Sequence, residues 1–154
     1  MADSGRQPRP DLTGPALPEA IGDMDFFELL RRLEGDGRRF GRGGRPDQEP
    51  ARLGQAARLG FAIRDVAGFR PEGDKDPARV SVGVIGLIGP EGPLPLHLAR
   101  WVLDRLSHRW FTAGVEGATS DTTFLDFLNM TQHRAIALYW RAWADQNPAA
   151  QARQ

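Results

Sequence analysis

A chain of 154 residues that is 40% apolar and 26% charged is long enough to bury one core and too apolar to be wholly disordered. Its 20 Lys plus Arg balance 20 Asp plus Glu, and zero net charge argues against general electrostatic capture of nucleic acid or anionic lipid. Cysteine is absent, which removes disulfides, thiolate zinc sites, iron–sulfur clusters and cysteine nucleophiles together, while no stretch approaches the roughly 18 to 20 continuous apolar residues of a membrane helix and no secretory signal pattern opens the chain.

Residues 1–22 are punctuated by Pro and Gly without an apolar period and read as a disordered N-terminal arm. Over 23–34, Phe26, Leu29, Leu30 and Leu33 fall at helical spacing. Asp23 or Asp25 can cap this helix, Arg31 and Arg32 lie where its dipole favours cations, and Gly35 and Gly37 stop it. Phe27 widens the stripe sideways, which suggests more than one packing neighbour. Residues 35–50 then form a loop in which Arg38, Arg39, Arg42 and Arg45 sit among glycines around Phe40. It reads as a solvated loop, as a protein contact offering arginines to carboxylates, or as a phosphate clamp.

Residues 51–70 are ambiguous. Arg52-Leu53 and Leu59 to Ala62 look like short strands broken by glycine, and Ile63, Val66 and Phe69 would also suit a helical turn. Residues 71–78 are a turn. The strongest strand is 79–88, where Val80, Val82 and Val84 alternate with Ser81 and Gly83 before the run turns wholly apolar. Gly83 and Gly86 mark a bend or a close approach. A rigid Gly/Pro turn over 89–95 leads into a helix in which Leu94, Leu98, Trp101, Val102 and Leu106 keep the helical period. After a loop over 112–122, with Ser120, Asp121 and Thr122 as candidate caps, the longest helix is expected over 123–146. Phe124, Phe127, Leu128, Ala135, Leu138, Tyr139 and Ala142 make one apolar face of it. Leu125, Ile136, Trp140 and Trp143 make a second. A helix apolar on two faces needs cover on two sides. Either it runs through a core, or its aromatic end meets a partner or residues outside this chain.

Motifs for chemistry are missing. His97, His108 and His133 form no i,i+4 pair and no HExxH, and there is no GxSxG, GxGxxG or GK[ST] phosphate loop. The expectation is a protein that is not an enzyme and has no cofactor or metal.

Three ordered blocks carry a family resemblance. Phe26-Phe27-Glu28-Leu29-Leu30-Arg31-Arg32-Leu33-Glu34 is the first. Gly86-Leu87-Ile88-Gly89-Pro90-Glu91-Gly92-Pro93-Leu94-Pro95-Leu96-His97 is the second and most specific. The third is Phe124-Leu125-Asp126 followed by His133-Arg134 and Tyr139-Trp140-Arg141-Ala142-Trp143. Together they resemble TssG (VasB or ImpH), a baseplate subunit of the bacterial type VI secretion system. The chain departs from that pattern at Leu98-Ala99-Arg100, where a Tyr-Thr-Glu-like stretch is usual, and at Asn129-Met130-Thr131, which look like extra residues. The resemblance covers what would be the N-terminal half of such a protein.

The residue patterns read as an α+β region over 23–146, with three main helices and a few short strands, incomplete without a partner or C-terminal half, and a flexible tail over 147–154. The resemblance implies a non-enzymatic scaffold that joins a TssF-like partner and a TssK-like adaptor in a hetero-oligomer, with a TssE-like sheath initiator as a further candidate. No nucleic acid or direct membrane insertion is implied. The site would be the bacterial cytoplasm, at the cytoplasmic face of the inner membrane through the secretion complex. The expected partner surfaces are Phe26, Phe27 and Leu30 on the first helix, Arg38, Arg39 and Phe40 in the glycine–arginine loop, and Tyr139, Trp140 and Trp143 on the last helix. The alternative is a small nucleic-acid-binding module using the 35–50 loop.

Overall fold

The computed structural model of the chain describes residues 21, 24–35, 37–74, 76–107 and 121–147. Most of the expected arm and tail, most of the 112–122 loop, and Asp23, His108 and Ser120 lie outside the described residues. Among the described residues, three helices, α1 (Phe26–Leu33), α2 (Leu96–Ser107) and α3 (Thr123–Gln146), stand with three short strands, β1 (Arg52–Gln55), β2 (Val66–Arg70) and β3 (Arg79–Val82). The fold is α+β, as the residue patterns indicate.

Asp25 starts α1, accepting from the Phe27 amide at 2.7 Å, and Asp65 Oδ2 takes the Phe26 amide at 3.3 Å. Exposed first-turn amides gain most from such acceptors. Phe26, Leu29 and Leu30 are buried, the i, i+3, i+4 spacing of one helix face. They pack on the inner face of a sheet of order β1-β3-β2, with β1 and β3 parallel and β2 and β3 antiparallel. Leu53, Val66, Val80 and Val82 supply that face. Ile21, inside the expected arm, is buried in the same core.

Several expectations need correction. The valine strand ends at Val82 rather than running to Ile88. At Gly83 the chain turns against the Arg64 and Asp65 carbonyls. The Leu59 to Ala62 stretch is not a strand, and the second strand is 66–70. The ordinary helix signals there were outweighed by pairing with β3, through a bulge between Val66 and Gly68.

Beyond Gly83 the chain is held by side chains instead of a ladder. Gln55 Nε2 donates to the Ile88 carbonyl at 2.5 Å, and its Oε1 accepts from the Ile88 amide at 3.0 Å. The primary amide thus stands in for one residue of a paired strand. Gly86 makes room for it, since a Cβ there would overlap the Gln55 side chain. The Gly/Pro turn follows, closed by the Leu94 amide on the Leu87 carbonyl at 3.0 Å, and Gly89 takes φ +103°, a conformation that suits glycine. Ile88, Ala99, Val102 and Leu128 form a second, smaller core that fixes α2 against the first half of α3.

Candidate interaction surfaces

The long helix α3 organises the molecule. Strand β1 is an edge strand, so the Leu53 and Gln55 amides point away from β3 and need acceptors. Helix α3 supplies both. His133 Nδ1 accepts from Leu53 at 3.0 Å and Asn129 Oδ1 from Gln55 at 2.8 Å. Four helical residues advance about 6 Å and two strand residues about 6.6 Å, so an i,i+4 pair matches an i,i+2 pair. Between them Gln132 donates to Asn129 Oδ1 at 2.6 Å and accepts from the Leu87 amide at 2.9 Å. Gln55, Gln132 and His133 are all buried. Buried polar groups are tolerated when paired in this way.

Because Nδ1 of His133 accepts, its hydrogen sits on Nε2, which faces Glu49 Oε2 at 3.3 Å. Glu49 Oε1 takes the Gly41 amide at 3.3 Å and Arg134 at 3.1 Å. Burial alone would raise the Glu49 carboxyl. The His133 ring, the Gly41 amide and Arg134 outweigh burial and hold it below its ordinary value of 4.5. A carboxyl lowered on folding contributes its full stability above 4.5 and loses it as pH falls through the folded value. The denaturation midpoint of the wild-type chain is therefore expected to drop more steeply below pH 4.5 than that of Glu49→Gln, as urea titrations across that range would show.

These contacts fold the glycine–arginine loop back onto α3. Phe40 is buried beside Trp140, and Glu34 Oε1 accepts from both the Phe40 amide and the Trp140 indole at 3.0 Å. Gly41, at φ +70°, lies so close to α3 that a Cβ would come 2.9 Å from the Ala137 carbonyl. Arg141 and Arg134 donate to the Gly41 and Gly43 carbonyls. Arg42 pairs with Asp145 at 3.0 Å and Arg38 with Glu72 at 3.3 Å. The loop is packed structure, and two of its arginines are neutralised within the chain.

The expected surface residues therefore divide. Phe26, Leu30, Phe40 and Trp140 are not available to a partner: each is enclosed by this chain, Trp140 at 1% exposure. The reason is that α1, the loop and α3 meet on one another, so the aromatic residues that looked surplus fill the joint. Arg38 is exposed, and Phe27, Arg39 and Trp143 are half-buried. Phe27 stacks on Trp143 at 4.4 Å and approaches Tyr139 at 6.0 Å, which leaves an aromatic rim open at Tyr139 and Trp143.

The two faces of α3 also differ from expectation. Its inward face is Leu128, Gln132, His133, Ile136, Ala137, Trp140 and Ala144. The other apolar face is exposed at Phe127, Ala135, Leu138, Tyr139 and Ala142, with Leu128 turned inward instead. Near its start, Trp101 of α2 lies edge-on to Phe124 at 5.1 Å and carries Arg105 4.5 Å from its ring centre. Trp101 and Leu96 remain exposed, so apolar surface extends from α3 onto α2.

Sequence reasoning missed the polar set of Glu49, Gln55, Asn129, Gln132 and His133. The signal was present: Asn, Gln and His at i, i+3 and i+4 interrupt an apolar stripe between Leu128 and Ile136.

Comparison with known proteins decides between the remaining readings. The family described as Type VI secretion, TssG matches residues 20–154. The chain belongs to the TssG family. No curated protein and no solved structure matches it. TssG membership gives the chain a role in the type VI secretion baseplate. The three blocks that carried the resemblance map onto α1, the Gln55-held turn leading into α2, and α3. Of the buried core, Phe26, Leu29, Leu30, Ile88 and Trp140 come from those blocks. Asn129, one of the residues that looked extra, is an acceptor for the β1 edge. Among the described residues, no helix is long and apolar enough to cross a membrane.

Proposed function

We propose that this TssG chain is a non-enzymatic scaffold of the baseplate wedge, joining a TssF-like partner and a TssK-like adaptor. The observation that carries the reading is the outer face of α3. The inner face of that helix is already buried against β1, yet Phe127, Leu138 and Tyr139 stand exposed along the other side, with Ala135 and Ala142 exposed on the same face. Large apolar residues alongside alanine admit a close-packed helix, and aromatic anchors dominate such contacts. The buried polar residues support the same reading, because each is engaged in holding the fold: Gln55 on Ile88, Gln132 on Leu87, His133 on Leu53 and Glu49 on Gly41. In this reading the TssF-like partner covers α3, and the Tyr139 and Trp143 rim extends that contact.

The test is co-purification from cells producing both proteins. The double variant Phe127→Glu and Leu138→Glu is expected to lose at least about ten-fold of the recovered TssF-like partner, a change of roughly 1.4 kcal/mol or more. Its melting temperature should stay close to that of the wild-type chain, because both side chains are exposed. Undiminished recovery would place the partner elsewhere.

A further inference from the structure

The sheet register aligns three arginines across three strands. Arg52 of β1 pairs with Arg79 of β3, and Arg79 pairs with Arg70 of β2. Residues directly opposite in a sheet project from the same face. Here it is the outer face, since the adjacent row of Leu53, Val80 and Phe69 belongs to the core. The next outer row is Gly54, Ser81 and Gly68, a floor with almost no side chain, flanked at the β1 end by Asn129.

Like charges in register repel. Arg70 and Arg79 are exposed and make no ion pair among the described residues, and Arg52 Nη1 is buried without a hydrogen-bond partner. The turn between β2 and β3 carries three carboxylates. Glu72 is engaged by Arg38, and Asp74 and Asp76 are exposed and bridge none of the three arginines.

This row ends at a free edge. Helix α3 closes the β1 side of the sheet, whereas among the described residues no strand pairs with the far side of β2. Beside β2 lies an open groove of about 700 Å³ whose lining includes Ile21, Phe61, Ile63 and Phe69 together with Arg58 and Arg64. Phe61 is 77% and Ile63 99% exposed.

We propose that the free edge of β2 is a strand-addition site for an extended acidic segment of a partner protein. Backbone pairing to β2 would supply affinity. Alternate side chains would supply the match: carboxylates facing Arg70 and Arg79, apolar residues covering Phe61 and Ile63. Charge selects the occupant. A second copy pairing edge to edge would bring further arginines rather than carboxylates to this row, and charged edges are a usual way strands resist self-association. Exposed Phe61 and Ile63 in the groove and the zero net charge of the chain favour a peptide over nucleic acid. This edge is separate from the exposed α3 face.

The test uses the full chain and a short fluorescein-labelled peptide of alternating Glu and Val, followed by anisotropy. A Lys–Val peptide and oligodeoxythymidine serve as competitors. The acidic peptide is expected to bind, to weaken at least about ten-fold in the Arg70→Ala, Arg79→Ala double variant, and to slow amide exchange within 66–70. Arg79→Glu sets an acid between two arginines. It is expected to raise Tm by about 2–4 °C while abolishing peptide binding, which separates lost recognition from lost folding. No binding, equal binding by the double variant, protection outside β2, a lowered Tm for Arg79→Glu, or tighter binding of oligodeoxythymidine would each overturn the proposal, the last by assigning the arginines to phosphate.

Discussion

Replacing Trp140 by alanine is expected to lower stability by about 3–5 kcal/mol, the largest effect of any single substitution on α3. Its ring lies between α1, the glycine–arginine loop and α3, stacked on Trp143 at 5.3 Å and within 6.2 Å of Phe27. Its indole N–H donates to Glu34 Oε1 at 3.0 Å. Truncation would empty a joint that three segments share and leave Glu34 with the Phe40 amide alone. Single domains have about 5–15 kcal/mol in total, so Trp140→Ala should melt at least about 10 °C below the wild-type chain. Trp140→Phe keeps most of the ring volume and removes the donor. It should lose only about 1–2 kcal/mol. Thermal melts of the two variants would separate packing from the hydrogen bond. A small effect of Trp140→Ala would mean that the joint is not packed as described.

Gly86→Ala is expected to be the second large effect, at about 2–4 kcal/mol, although it adds a single methyl group. The methyl would occupy the position of the Gln55 side chain, and Gln55 cannot yield cheaply. Moving it breaks both of its bonds to Ile88 and strands a buried amide. The proof lies in the coupling. Gln55→Ala should itself be destabilising, but adding Gly86→Ala on that background should cost much less than it does alone, since the obstructing group has gone. A double-mutant cycle by urea denaturation would measure this. Additive losses would show that Gly86 is needed for some other reason.

Much of this fold was legible in the sequence, and the failures share one cause. Helix α1 could be read because its stripe, its Asp25 cap and its glycine stop are all local. The Gly/Pro turn and the start of α2 were equally local. The valine strand was overextended because its end is set by Gln55 and by the Asp65 carbonyl, which takes the Gly83 amide at 2.6 Å. Both lie far from it in sequence. Trp140 read as surplus apolar surface for the same reason. Its cover comes from Phe40 and α1, a hundred residues away along the chain. Both apolar faces of α3 were read from the sequence, yet periodicity alone could not say which of the two points outward. The arginine row was invisible, because Arg52, Arg70 and Arg79 become neighbours only once the register is known.

The closure of β1 by α3 has a consequence for how the protein is made. The bond from Leu53 to His133 spans 80 residues and that from Gln55 to Asn129 spans 74, so the sheet cannot be finished until the last helix has emerged from the ribosome. High contact order of this kind slows folding and leaves an unsealed strand during synthesis. A nascent chain halted before residue 123 would offer β1 as well as β2 to any passing strand. Early release would therefore favour aggregates over a partly working subunit.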